Sequence, residues 1–334
     1  MRPPAHPQVP SPRVGILLMN LGTPDLPEPG AVRVYLKQFL SDPRVVEIPR
    51  LVWQPILRGI ILNTRPKKSS HAYKQVWTEE GSPLAAITRR QAKALQSAFG
   101  DTIIVDYAMR YGRPAVGERV AALKAQGCER ILLAPLYPQY CAATTATAND
   151  EAFAELARMR WQPAVRTLPP YYDHPDYIAA LKASVEDSLS QLDFAPDAIL
   201  ASFHGMPERT LHLGDPYHCH CRRTARLLSE AIGRELIVTF QSRFGRAKWL
   251  EPATDLTLSE LPVNGVRKVA LVAPGFSADC LETLEELAIR GRDTFLAAGG
   301  THFAYLPCLN DSAPSVEMLR SILGAELAGW VGAP

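Results

Sequence analysis

Residues 202–228, SFHGMPERTLHLGDPYHCHCRRTARLL, hold four histidines (His204, His212, His218, His220) and two cysteines (Cys219, Cys221). Such a stretch either cages a metal or only handles one. A structural zinc site needs four converging ligands, usually from spaced cysteine pairs. Here Asp215-Pro216 reads as an N-cap and first-turn proline, placing Cys219 and Cys221 in the first turn of a helix. Neighbours two apart on a helix point about 200° away from each other, so one ion does not easily take both. The better reading is a set of rim and half-buried side chains, with a stable Cys/His zinc site as the minor alternative. His204 differs, because it ends an apolar strand and precedes a Gly-Met-Pro turn. A lone histidine there is as often a structural hydrogen-bonder, so chemistry requires an acidic companion.

The run SADCLETLEELAIRGRD supplies one. On a helix, its Asp279, Glu282 and Glu286 would share a face at i, i+3 and i+7. An ordinary helix would carry them as a solvated acidic stripe. Their place directly after an apolar strand instead turns them toward the crevice that His204 faces. Histidine opposed by carboxylates, without thiolates, suits an exchangeable borderline or hard divalent cation. It also suits proton removal from a bound substrate, and together these are the needs of a metal-inserting enzyme.

The elements that must carry these groups are legible. Apolar β-branched runs begin at Arg13 (RVGILLMNLG), Asp101, Glu129, Asp197 (DAILASFHGMP), Glu235, Arg267 and Thr301, with helical segments between them. They read as buried parallel strands in two open α/β halves. Ser82-Pro83 opens a helix that Gly100 closes. The expected organisation is a loose proline-rich arm at 1–12, a first domain at 13–160, a second at 161–310 and a returning helix at 311–334. The proline-rich WQPAVRTLPPYY, from Trp161, is the expected crossover. Working groups in such sheets gather at the carboxyl ends of strands. Neither G-x-G-x-x-G nor a P-loop occurs there, which argues against a nucleotide cofactor.

Composition narrows the partners. A formal charge of +2 with 21% charged residues offers no general drive toward nucleic acid. Six dispersed cysteines suit a reducing, cytoplasmic setting, and residues 1–12 lack the apolar core of a secretory signal. The apolar run LVWQPILRGIIL, from Leu51, is broken by Pro55 and Arg58 and too short to span a bilayer. Residues 38–62 are expected to form a movable apolar lip with peripheral contact at a membrane surface, aided by Arg58, Arg65, Lys67 and Lys68. The alternative is a buried amphipathic helix of the first domain.

Taken in order, ILLMNLGTPD, QFLSDPRVVEIPR, YPQY, SFHGMPER, GDPY, QSRFG followed by WL, and PGFSADCLETLEE resemble the ferrochelatase family, in its Gram-negative bacterial form, from about Val14 to Leu327. The resemblance implies a chelatase fold: two Rossmann-like domains with parallel four-stranded sheets and the active-site cleft between them. It implies insertion of ferrous iron into protoporphyrin IX, giving protoheme and two protons, as the terminal step of heme biosynthesis. Iron and porphyrin are then substrates, and no organic cofactor is needed. Family roles map onto His204 and Glu282 as the pair that binds iron or accepts pyrrole protons, with Asp279 and Glu286 extending a proton or metal path. Leu21, Arg110, Tyr111, Tyr217 and Trp249 match porphyrin-binding positions, Arg110 and Tyr111 near the propionates.

Two departures stand out. Cys280 occupies a position where some members have histidine. Other members carry a [2Fe-2S] cluster, but Ala142 stands at the internal cluster position and the final LAGWVGAP has no cysteine, so a cluster is not expected. One assembled from Cys141, Cys219, Cys221 and Cys280 or Cys308 is the alternative. Rival functions are insertion into coproporphyrin III, a cobalt or nickel tetrapyrrole chelatase, and a non-enzymatic tetrapyrrole binder. Nothing in the sequence specifies an oligomeric state.

Overall fold

The strand RVGILLMNLG, β1 (Arg13–Gly22), is buried at every position from Val14 to Asn20. This is what a central parallel strand requires when helices cover both faces of its sheet. In the computed structural model, which describes residues 12–245 and 247–331, β1 pairs in parallel with β2 (Ile103–Tyr111) and β3 (Cys128–Pro135). A short fourth strand, β4 (Ala164–Thr167), pairs with β3, giving the order β2-β1-β3-β4. The second half repeats the plan. Its strands β5 (Ala198–His204), β6 (Leu236–Gln241), β7 (Lys268–Val272) and β8 (His302–Leu306) run in the order β6-β5-β7-β8, again all parallel. In each sheet the chain adds a strand on one side of its first strand and then crosses to the other. The order therefore reverses beside β1 and beside β5, and at such switch points the carboxyl ends of strands open a crevice.

The structure corrects one expected boundary. WQPAVRTLPPYY does not lie between the halves, because its Ala164–Thr167 forms the edge strand of the first sheet. A strand of four residues, with prolines close on either side, is too short to show alternation. It is held from outside the sheet: the Arg166 side chain donates to the carbonyl of Ala328 at 3.0 Å and stacks 4.3 Å from the Trp330 ring. The expected arm at 1–12 lies, except for Pro12, outside the described residues.

The halves share one core. Ile16, Leu18, Leu132 and Ala134 of the first sheet belong to the same buried cluster as Phe203 and Phe240 of the second. Met318, Leu319, Ile322 and Leu323, from the helix Ala313–Glu326, join it beside Ala92 and Leu95 of the helix Pro83–Phe99. The latter helix ends where expected, at Gly100 with φ 67°.

Most of the expected lip is helical: Pro29–Ser41, then Arg50–Ile56, a π-helical turn Leu57–Ile61, and Leu62–Val76. It is two-sided. Leu57 and Leu62 are buried with Tyr35, Leu36 and Tyr73, and the Trp53 indole N–H donates to the Leu40 carbonyl at 2.6 Å. On the outer side Leu51 is 92% exposed, Val52 56% and Ile60 58%. Among the described residues no helix is long and apolar enough to cross a membrane.

Candidate active site

The first strand of each half ends in, or is followed directly by, a glycine that tolerates no side chain: Gly22 closes β1 and Gly205 follows β5. Gly22 has φ +108°, and a Cβ there would fall 1.7 Å from the Tyr111 carbonyl oxygen. A Cβ on Gly205 would fall 2.5 Å from the Gln241 carbonyl oxygen and 3.3 Å from Trp249 Cε3. NLG and FHG thus mark where backbones close tightly beside the two switch points.

His204, just before Gly205, is half-buried, with Nδ1 2.7 Å from the Gly205 carbonyl oxygen. A carbonyl only accepts, so Nδ1 carries the hydrogen and Nε2 keeps its lone pair, free for a proton or a cation. Across the sheet His204 pairs with Gln241, the last residue of β6. The buried Gln241 side chain accepts from Ser202 Oγ at 2.9 Å and donates from Nε2 to the Glu282 carbonyl at 3.0 Å. One amide therefore ties the histidine's sheet to the backbone of the glutamate.

Glu282 begins a ten-residue π-helix, Glu282–Gly291. Extended π-helices are rare and frequently occur at functional sites. Burial, followed by the Glu282 carboxylate, holds the Tyr73 hydroxyl well above its usual range. Tyr35 is likewise raised, by burial, then Tyr73, then Glu282. The Cys280 thiol is pushed up by burial and next by Glu282. Leu281, beside Glu282, packs on the cluster that holds Tyr35 and Tyr73, which puts the start of this helix against the helices flanking the lip.

The three carboxylates expected on one helical face, Asp279, Glu282 and Glu286, do not share a helix. Asp279 precedes the helix and is buried, its carboxylate accepting from Thr283 Oγ1, Tyr305 OH and Asn310 Nδ2. The loop after β7 stays non-helical through Cys280, because these bonds fold the chain back against Asn310. Glu286 does follow Glu282 on the helix and lines a cavity of about 750 Å³ with Ser242, Arg243, Asp255 and Asp293. Its carboxylate receives the Ser242 backbone N–H at 2.8 Å and Oγ at 2.6 Å, with Arg290 at 3.6 Å. Ser242 adopts φ 66°, a conformation sparsely populated by non-glycine residues.

Leu21 is half-buried against the aromatic cluster containing Tyr35, Phe39 and Tyr111. Phe39 meets Tyr111 edge-on, with centroids 5.1 Å apart. Tyr111 is buried behind that wall, and its hydroxyl donates to Asp42 Oδ2 at 2.8 Å. Arg110 donates to the same oxygen at 2.7 Å and to Thr147 Oγ1 at 2.7 Å. It borders a cavity of about 570 Å³ that Arg44 and Arg50 also line. Burial pulls the Asp42 pKa upward, but hydrogen bonds from Thr147, the Arg44 backbone and Tyr111, with the Arg110 charge, leave it below the usual range. Asp42 had no obvious signal beyond the Asp-Pro pair after a helix.

On the other wall Trp249 packs against Gly205 and donates its indole N–H to the Phe244 carbonyl at 3.0 Å. Arg65, from the helix Leu62–Val76, lies 5.1 Å over the Phe244 ring, a cation–π contact between the two halves. Tyr217 is buried near the backbone of His204.

In the rest of the opening stretch, Asp215 and His220 join the halves. Asp215 accepts the Tyr217 N–H at 3.0 Å and the Ala142 N–H at 2.8 Å. His220 Nδ1 accepts from the Tyr140 N–H and its ring stacks on Tyr172 at 3.7 Å. Cys141 and Cys221 are buried near Asp215, Cys219 is exposed, and Cys280 and Cys308 lie near Asp279. Among the described residues no three His, Cys, Asp or Glu side chains gather as a metal cage.

Comparison with known proteins agrees with this architecture. The fold is similar to that of SirB from Bacillus subtilis with Fe3+, at 13% identity and a TM-score of 0.58, covering 95% of this chain and 97% of that one. A chelatase-like protein of Deinococcus radiodurans, DR2241, aligns over 93% of this chain and 55% of its own at a TM-score of 0.51 and 14% identity. A ferrochelatase of Agrobacterium fabrum is 51% identical over 98% of both chains, and one of Azoarcus sp. is 53% identical over 96% of this chain and 90% of its own. The family model described as ferrochelatase matches residues 13–327, and the chain belongs to the ferrochelatase family.

Proposed function

We propose that this chain inserts ferrous iron into protoporphyrin IX, with His204 and Glu282 as the groups that accept the two pyrrole protons and steady the incoming cation. The observation that carries this reading is the His204 ring, whose Nδ1 is committed to the Gly205 carbonyl at 2.7 Å while Nε2 keeps its lone pair. Gln241, bonded to the Glu282 carbonyl, sets the opposing carboxylate. Each pyrrole N–H proton passes to a base as an Fe–N bond forms, so charge and protons balance over the two steps.

A porphyrin is a broad apolar disc with anionic edges. Leu21, the lip's inner aromatics, Tyr217 and Trp249 supply walls, and the cavity bordered by Arg44, Arg50 and Arg110 receives the propionates. Tyr111 acts from behind, by fixing Asp42 and thereby Arg110. A site that fits a bent macrocycle better than a flat one lowers the insertion barrier. Protons leave Glu282 toward Glu286 and the cavity it lines. The exposed apolar side of the lip, with Arg58, Arg65, Lys67 and Lys68, rests peripherally on the inner membrane of a cytoplasmic enzyme.

The test is anaerobic incubation of the protein with ferrous iron and either protoporphyrin IX or coproporphyrin III, followed by absorbance. Turnover with protoporphyrin supports the reading. Turnover confined to coproporphyrin or to cobalt replaces the substrate, and a stoichiometric spectral shift without turnover replaces the enzyme with a binder.

A further inference from the structure

We infer that Asp279 is a positioning residue, clasped to Asn310, that sets the start of the π-helix and so the place of Glu282; this rests on the role proposed for Glu282. Asp279 is only 5% exposed, and its two oxygens are engaged by three donors: Thr283 Oγ1 at 2.9 Å, Tyr305 OH at 2.7 Å and Asn310 Nδ2 at 2.7 Å. To accept a cation or pass a proton it would have to release one of them. Each donor instead ties it to another element. Thr283 stands next to Glu282 in the first turn of the π-helix and also accepts the Cys280 N–H at 2.9 Å. Tyr305 comes from β8.

Asn310 closes the clasp from two sides, its Oδ1 accepting the Asp279 backbone N–H at 2.8 Å while its Nδ2 donates to the carboxylate. The two ends of the amide are therefore not interchangeable. Asn310 has φ 52°, a region that asparagine and aspartate tolerate better than most residues. Its carbonyl accepts from Gln91 Nε2 at 2.7 Å, and the same nitrogen reaches the Ser277 carbonyl at 3.2 Å. Gln91 belongs to the helix Pro83–Phe99 of the first half, so the clasp fixes Glu282 relative to both walls of the crevice.

The chemistry allows a reciprocal exchange. Asp279→Asn sets two amide donors against each other, and Asn310→Asp sets two carboxylates against each other. The double exchange restores every bond, because the new asparagine donates to the new aspartate while that aspartate still accepts the backbone N–H. Ferrous-iron insertion should fall on the order of ten-fold in each single variant, largely in kcat, and recover in the double variant. Porphyrin binding, read by fluorescence quenching, should stay unchanged. Tyr305→Phe, which keeps the carboxylate but removes one donor, should also lower kcat.

A double variant as impaired as Asp279→Asn would overturn the inference, since it would show that a carboxylate is needed at 279 itself. Full activity in Asp279→Asn or Tyr305→Phe would overturn it too. Should Asp279→Asn not fold, the double and Tyr305→Phe variants decide the matter alone. Glu282→Gln is assayed alongside: if it keeps activity, the glutamate's assignment falls and this inference with it, whereas failure of the exchange alone leaves that assignment standing.

Discussion

His204 and Gln241 stand side by side as the last residues of β5 and β6, and the Gln241 side chain donates to the backbone carbonyl of Glu282. The two groups proposed to take the pyrrole protons are thus tied to one sheet edge, although 78 positions separate 204 from 282 in the chain.

His204→Ala should therefore lose insertion activity and little else. The hydrogen bond found for its ring is to its own neighbour's carbonyl, and the residue contributes little core. Activity should drop at least about a hundred-fold, the scale of a lost general base. Initial rates and melting temperature measure this, and near-normal turnover would remove His204 from the mechanism.

Glu282→Gln should be severely impaired and Glu286→Gln only mildly. A glutamine at 286 can still accept the Ser242 N–H, and the serine hydroxyl can reverse its role and accept. Rates at saturating porphyrin and varied ferrous iron distinguish them. Equal, small effects would return both carboxylates to an ordinary solvated stripe.

The two sides of the lip should separate by mutation. Serine at Leu51, Val52 and Ile60 should abolish binding to anionic liposomes and leave the melting temperature unchanged, because these side chains face outward. Trp53→Ser should lower the melting temperature, since Trp53 packs on the buried cluster and bonds Leu40. Retained liposome binding in the triple variant would end the membrane proposal.

Acid should reveal Asp42. Its carboxyl titrates lower in the folded protein than the about 3.9 of an unfolded chain, so its stabilisation is complete above that value. It is lost as pH falls through the lower folded value. Asp42→Asn should accordingly destabilise the protein at neutral pH and flatten the fall in melting temperature below about pH 4. Parallel acid limbs for the two proteins would contradict this.

Much of the site was legible because strand ends in parallel sheets are predictable addresses. RVGILLMNLG and DAILASFHG announce their burial, and their terminal glycines and His204 follow from position alone. β4 escaped notice because AVRT is short, flanked by proline and held by distant residues such as Trp330. The place of Asp279 escaped for a related reason. Helical periodicity put it in line with Glu282, whereas its bonds come from Tyr305 and Asn310, 26 and 31 positions on, which no local pattern registers.

The shared core also bears on how the chain folds. Ile16 and Leu18 lie in one buried cluster with Met318, Leu319, Ile322 and Leu323, about 300 positions on in the sequence. Parallel strands already demand contacts between distant positions, and here a single core draws on both, so folding must close very long loops before its apolar faces are covered. Removing the helix Ala313–Glu326 would strip part of that cluster and expose a sticky surface rather than yield a smaller enzyme.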